Sequence, residues 1–167
     1  MACFAGLPWV VSQFQYCYWL EEPYFSSPVS AQSSIIHFRS DGYGKGYFGA
    51  SRNGGRKHQG IDLLAKVGEP VFASKSGRVS CAGVDEGYGN YVEISHPDGF
   101  STRYAHLSEL CVSTGDWAGQ GTMIGRSGKT GNANHDKILP HLHFEIRYAG
   151  KALNPMAGWL SPLLRFE

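Results

Sequence analysis

A β-rich domain of short antiparallel strands is the fold class this sequence predicts, on three observations. Glycine is abundant, at 22 of 167 residues, and Tyr, Phe and Val recur between the glycines, which suits strands joined by tight turns better than a helical bundle. Short apolar runs follow one another with no intervening amphipathic stretch long enough for a helix. Turn signals separate the runs, among them Pro97-Asp98-Gly99, Glu86-Gly87-Tyr88-Gly89-Asn90 and Ser113-Thr114-Gly115-Asp116. The length allows one domain with a real core and a short accessory segment.

The accessory segment comes first. Residues 1–34 are rich in aromatics (Phe4, Trp9, Phe14, Tyr16, Tyr18, Trp19, Tyr24, Phe25) and then turn small and polar through SSPVSAQSS. This reads as an N-terminal segment that covers part of the core, or recognises a partner, followed by a connector. Its start lacks the basic residues of a signal peptide, Ser12, Gln13 and Gln15 interrupt the apolar run, and Glu21 and Glu22 precede the cleavage-like Val29-Ser30-Ala31. Export by a standard signal is not expected, and Gly6 and Pro8 help leave the apolar run too short to span a membrane.

The main domain is expected over residues 35–160, with a tail at 161–167. Its strands are predicted at 71–74, 77–82, 91–96, 101–106, 123–126 and 141–148, Asp98-Gly99 turning a hairpin between two of them. A formal net charge of +1 and 17% charged residues exclude a strong field, so nucleic acid and anionic membrane are not the expected partners. The four cysteines, Cys3, Cys17, Cys81 and Cys111, form no C-x-x-C pair, which excludes a zinc ribbon and a thioredoxin-like motif. Free thiols and disulfides both remain open, with three connectivities if all four pair.

Chemistry concentrates in the histidines. His141 and His143 form H-x-H in PHLHFEI; on a strand both project from one face while Leu142, Phe144 and Ile146 project from the other. Two imidazoles so placed either grip a metal together, or one grips it while its neighbour transfers a proton. His58 and Asp62 form H-x-x-x-D in RKHQGIDLLA, and Gly60 between them favours a loop entering a strand over a helix. A His, Asp, His set leaves one position open, as in catalytic zinc sites. Glu145 shares the strand face of the H-x-H pair and reads as a solvent-facing or loop-pairing carboxylate, with orientation of a ligand as the other role. His37 and His96 read as surface or cross-strand residues.

Residues 56–147 resemble the lysostaphin-type (LytM-like) zinc metallopeptidases. RKHQGIDLLAKVGEPVFASKSGRV is similar to that family's first metal-binding segment, GYGNYVEISHPDGFSTRYAHLSEL to its central hairpin, and GQGTMIGRSGKTGN with PHLHFEIR to its last turn and metal-binding strand. The resemblance implies the lysostaphin/LytM-like fold, an antiparallel sheet with a groove lined by loops. It implies Zn2+ held by His58, Asp62 and His143, with His141 and His106 catalytic. Zinc would polarise the scissile carbonyl and activate water; His141 is the expected general base and His106 the stabiliser of the intermediate, roles that could be exchanged.

The groove walls are expected near residues 40–57, 84–90, 113–119 and 128–140, where Tyr43 and Tyr47 suit a flexible small-residue peptide and Tyr88, Asn90 and His135 are the expected substrate contacts. The implied activity is cleavage of peptide bonds in bacterial peptidoglycan, in periplasm or wall. A D,D-endopeptidase acting on cross-linked stems is the first reading. A glycyl-glycine endopeptidase, a non-catalytic regulator of wall amidases and a signalling protein on the same scaffold are the alternatives. A toxin delivered into rival bacteria would in addition have a cognate inhibitor or immunity protein as partner.

Overall fold

The structure is a computed structural model that describes residues 18, 21–30, 35–157 and 165–166. Among the described residues thirteen strands run in chain order as β1 Ile35–Ile36, β2 Ser40–Asp41, β3 Gly44–Lys45, β4 Ile61–Leu64, β5 Pro70–Phe72, β6 Gly77–Asp85, β7 Gly89–Ser95, β8 Phe100–Leu110, β9 Trp117–Ala118, β10 Met123–Ser127, β11 His141–Tyr148, β12 Lys151–Leu153 and β13 Arg165–Phe166. Two short 3-10 turns, Asn53–Gly55 and Gly131–Ala133, interrupt the loops.

Nine of the strands form one antiparallel sheet whose main path is β12-β11-β8-β7-β6-β9. β4 also pairs with β11, and β10 pairs with both β5 and β8. β1 and β13 pair in parallel, tying residues 165–166 to the start of the domain. Alternation places Ile61 and Leu63, Val92 and Ile94, and Leu142, Phe144 and Ile146 on one face of the sheet, all fully buried. Each such side chain contributes about 1.5–3 kcal/mol.

The mainly β expectation is met, and the hairpin strands run past the predicted ones, β6 at its end, β7 at its start and β8 at both, because ladder hydrogen bonds continue through their polar residues. Of the N-terminal segment, Tyr18, Phe25 and Val29 are buried. The Phe25 ring packs edge-on against His96 and Phe100, with centroids 5.7 Å from each. Lys75, 2% exposed, lies over the Tyr18 and Phe25 rings and pairs with Asp98. Cys81 and Cys111 are free thiols; Cys3 and Cys17, like the aromatics before Tyr18, lie outside the described residues.

Candidate metal and catalytic site

The polar face of β11 carries His141, His143, Glu145 and Arg147, and the register of its neighbours brings the other groups to it. β4 pairs His143 with Asp62, so both side chains leave the sheet on the same side. His58 reaches them through the loop ahead of β4, which lies so close to β11 that a Cβ at Gly60 would collide with the Phe144 carbonyl and come within 2.9 Å of the Glu145 side chain. His58 Nε2, Asp62 Oδ1 and His143 Nδ1 converge: the two nitrogens are 3.0 Å apart, and Asp62 Oδ1 is 3.0 Å from His58 and 2.9 Å from His143.

The second nitrogen of each ring explains which lone pair faces inward. His58 Nδ1 lies 2.8 Å from the Tyr47 carbonyl, and His143 Nε2 3.0 Å from Glu145 Oε1; each donates its N–H there, which leaves His58 Nε2 and His143 Nδ1 as the nitrogens that would face a metal, His143 Nδ1 after release of the proton it shares with Asp62. Donors around tetrahedral zinc stand roughly 3.3 Å apart, so the set fits that ion after a few tenths of an ångström of outward movement. Asp62 is divided between tasks, its Oδ2 accepting from Arg39 Nε at 3.2 Å, Arg39 Nη2 at 3.0 Å and Arg52 Nη2 at 2.8 Å.

Without an ion, burial works against charging His143, but the Asp62 and Glu145 carboxylates outweigh it and push the imidazole up to about 9. Burial likewise opposes ionisation of Asp62, and hydrogen bonds with His143 and His58 override it, holding the carboxyl well below the usual range.

His106 arrives by a β-bulge. Val92 pairs with Tyr104 and Asn90 with Leu107, so Tyr91 alone faces both Ala105 and His106. His106 takes φ 63°, the left-handed region, and the extra residue lets Tyr104 and Leu107 both reach the core while His106 turns to the groove. Its Nδ1 donates to the Thr130 carbonyl at 2.9 Å, and His141 Nδ1 donates to the Leu139 carbonyl at 2.7 Å. Their rings meet edge-on, centroids 5.0 Å apart. Both keep a free Nε2, and burial lowers His141 to about 4 and His106 to about 3, leaving them neutral at neutral pH. His141 Nε2 is 3.9 Å from Asp62 Oδ1, at the edge of the metal position.

These residues sit in a groove of about 1360 Å³. Tyr43, Arg52 and Arg56 line it from the 40–57 stretch, Asp85, Gly87 and Tyr88 from 84–90, and Asn132, Ala133 and Ile138 from 128–140. No residue of 113–119 does; that loop hydrogen-bonds to Val79, and β9 extends the far edge of the sheet. The β11–β12 turn, through Arg147 and Gly150 to Ala152, forms a wall instead. Of the expected substrate contacts, Tyr88 faces the groove with its hydroxyl donating to Glu145 Oε1 at 2.9 Å. Asn90 does not line it; its backbone N–H donates to Thr130 Oγ1 at 3.0 Å. His135 stands outside the lining, stacked on Tyr43 at 4.5 Å between centroids.

For two further residues the exposed alternative is corrected, while the loop-pairing and ligand-orienting roles of Glu145 and the cross-strand role of His96 hold. Glu145 is fully buried, held by His143, Tyr88 and Arg147, because its strand position is covered by β8 and the 84–90 turn. His96 is a core residue, Nδ1 donating to the Ser76 carbonyl and Nε2 2.9 Å from Thr102 Oγ1. Arg39 and Arg52 were not singled out from sequence; no motif spacing marks them, since they meet Asp62 only through the β2–β3 hairpin and the loop after it.

A sheet of this topology with this cluster defines a metallopeptidase-like scaffold, and the comparisons agree. Residues 56–155 match Peptidase family M23, and the chain belongs to that family. The chain is 43% identical over 102 residues to the DD-carboxypeptidase/endopeptidase Mpg of Neisseria meningitidis, covering 61% of this chain and 23% of that protein. It is 38% identical over 110 residues to the Murein hydrolase activator NlpD of Escherichia coli, covering 65% and 27%. It thus spans about a quarter of the length of these relatives.

Among solved structures, a zinc-containing peptidase from Vibrio cholerae superposes with TM-score 0.66 at 28% identity, over 83% of this chain and 41% of that one. The catalytic domain of lysostaphin from Staphylococcus simulans gives TM-score 0.58 at 36% identity, over 71% and 90%. The fold is the lysostaphin/LytM-like one.

Proposed function

We propose that this chain is a zinc-dependent endopeptidase that hydrolyses peptide bonds of bacterial peptidoglycan, acting as a D,D-endopeptidase on cross-linked stem peptides in the periplasm or wall. The observation that carries the reading is the coincidence of five groups: three inward-facing donors on His58, Asp62 and His143, and two neutral imidazoles, His141 and His106, with free Nε2 atoms beside them. A zinc ion held by the three donors would polarise the scissile carbonyl and make a bound water acidic. His141 Nε2 takes the proton from the attacking water and, once charged, delivers it to the leaving amine. His106, whose Nδ1–H is given to the Thr130 carbonyl, stabilises the developing charge only as the imidazolium formed when its Nε2 takes up a proton during the reaction.

The relative named as a murein hydrolase activator favours a second reading, a regulator without chemistry. The filled pair His106 and His141 weighs against it, since a regulator needs neither. The test is incubation of purified protein with peptidoglycan sacculi and mass spectrometry of the released fragments. Release by the zinc form, its loss on chelation and return with zinc, and a fall of about 10²–10⁴ for His141→Ala with metal content unchanged are the expected results. No release by the metal-loaded protein refutes the enzyme reading, and the new chain ends distinguish a stem cross-link from a glycine bridge.

A further inference from the structure

The charges lining the groove are not evenly spread. Its carboxylates Asp62 and Glu145 are buried beneath their cationic and imidazole partners, with side chains 3% and 0% exposed. Asp85, exposed on the β6–β7 turn of another wall, is engaged by the backbone N–H groups of Gly87 and Tyr88 at 2.8 and 2.9 Å. Every charged residue of the wall beyond Glu145 is a cation. Arg56 and Lys57 are exposed on the run into His58, and Lys151 is exposed at the β11–β12 turn. Arg147 projects from the metal face of β11, its charge paired with Glu145 Oε2 at 2.6 Å, and its Nη1 also lies 3.4 Å from Gln59 Oε1, joining the two segments into one surface on which Arg56, Lys57 and Lys151 are the exposed charges. The side chains of Arg56 and Lys151 make no hydrogen bond or ion pair among the described residues, so their charges face the groove uncompensated. At the other end, by His141, the lining residues Tyr43, Ala133 and Ile138 carry no charge, and the two lining arginines, Arg39 and Arg52, are paired with Asp41 and Asp62.

A peptide that is neutral along its length gains nothing from three exposed cations, Arg56, Lys57 and Lys151, set around Arg147 at one end. We propose that this end, formed by Arg56, Lys57, Arg147 and Lys151, binds a free carboxylate of the peptide substrate. The inference rests on the peptidase reading above and adds the charge and position of the group recognised. His143 and Arg147 are four residues apart on β11, about 13 Å at strand rise, so the carboxylate lies roughly two to four residues from the cut bond, on the β12 side. Either an α-carboxylate at a chain end or a side-chain carboxylate has this chemistry.

Three synthetic stem-type peptides distinguish the sources: one with all carboxylates free, one with only the terminal carboxylate converted to its amide, and one with only the side-chain carboxylate converted. The amide keeps the shape and removes the charge. Binding to the full chain is read by fluorescence anisotropy and cleavage by mass spectrometry. Amidation of the recognised group is expected to weaken binding about five- to twentyfold at low salt, the difference shrinking at 0.5 M salt as the exposed charges are screened. The triple variant Arg56→Gln, Lys57→Gln, Lys151→Gln, all exposed positions, is expected to lose that preference while binding the amide as the parent does. Equal binding of the three peptides, binding of none, or a preference that survives the triple variant overturns the proposal. A preference in binding with no peptide or sacculus cut upholds the carboxylate site and removes the peptidase reading instead.

Discussion

The two oxygens of Asp62 illustrate how single residues set this site. Oδ1 faces the two imidazoles and Oδ2 is enclosed by Arg39 and Arg52, so the carboxylate can offer one oxygen to a metal without swinging. Arg39 also holds both oxygens of Asp41 at 2.8 Å, and Asp41 accepts from the Leu139 N–H two residues before His141. Replacing Arg39 by Ala strips a buried cation from two carboxylates; metal-free protein is expected to lose about 3 kcal/mol in urea unfolding. On the other side of the metal position, Glu145→Gln would set an amide against the His143 N–H. Zinc affinity, measured by competition with a chromophoric chelator, is expected to fall about 10- to 100-fold while the fold persists by circular dichroism.

At the scale of elements, register and one bulge do the assembling. β4 and β8 flank β11 so that Asp62 and Ala105 both pair with His143. One residue further, the bulge exchanges the faces and delivers His106. Close approach of the 58–60 loop to β11 depends on the missing side chain of Gly60, whose Cβ would strike backbone that ladder bonds hold in place. Gly60→Ala is expected to cost about 2 kcal/mol or more, read as a lowered midpoint in thermal unfolding, and to weaken zinc binding because His58 rides on that loop.

Across the whole molecule, the site and the N-terminal segment occupy different regions of one core. Phe25 is 2% exposed beside His96 and Phe100, and Phe25→Ala is expected to cost about 3–5 kcal/mol in denaturant unfolding. His96 also makes stability depend on pH. Burial, the largest influence, lowers it to about 4 from an unfolded value near 6.5. Its folded value is the lower one, so the unfolded chain takes up the proton first. The contribution is complete above pH 6.5 and is lost as pH falls toward 4, about 3 kcal/mol over that window. Urea midpoints of zinc-loaded protein at pH 7, 5.5 and 4.5 should decline in that order, and His96→Gln should flatten the decline.

The strand alternation, the turn residues and the candidate ligands were legible in the chain because each depends on local periodicity or on residue type at short spacing. H-x-H at 141–143 needed only the two-residue period of a strand to show both imidazoles on one face. Glu145 obeyed the same period, yet its burial did not follow, because burial is decided by what other segments lay over a strand. Arg39 and Arg52 likewise became partners of Asp62 only when the β2–β3 hairpin folded across β4. The left-handed turn at His106 contradicted the alternation of its strand, and only the pairing with β7 required it. The cationic end of the groove joins residues 56–57 to 147–151, a meeting made by the common edge that β4 and β12 share on β11. Sequence alone indicated the candidate donors and the longer strands, since these are local; tertiary structure decided which oxygen of Asp62 faces the two imidazoles, which face His106 takes and where the groove is charged, since these depend on the packing of distant segments.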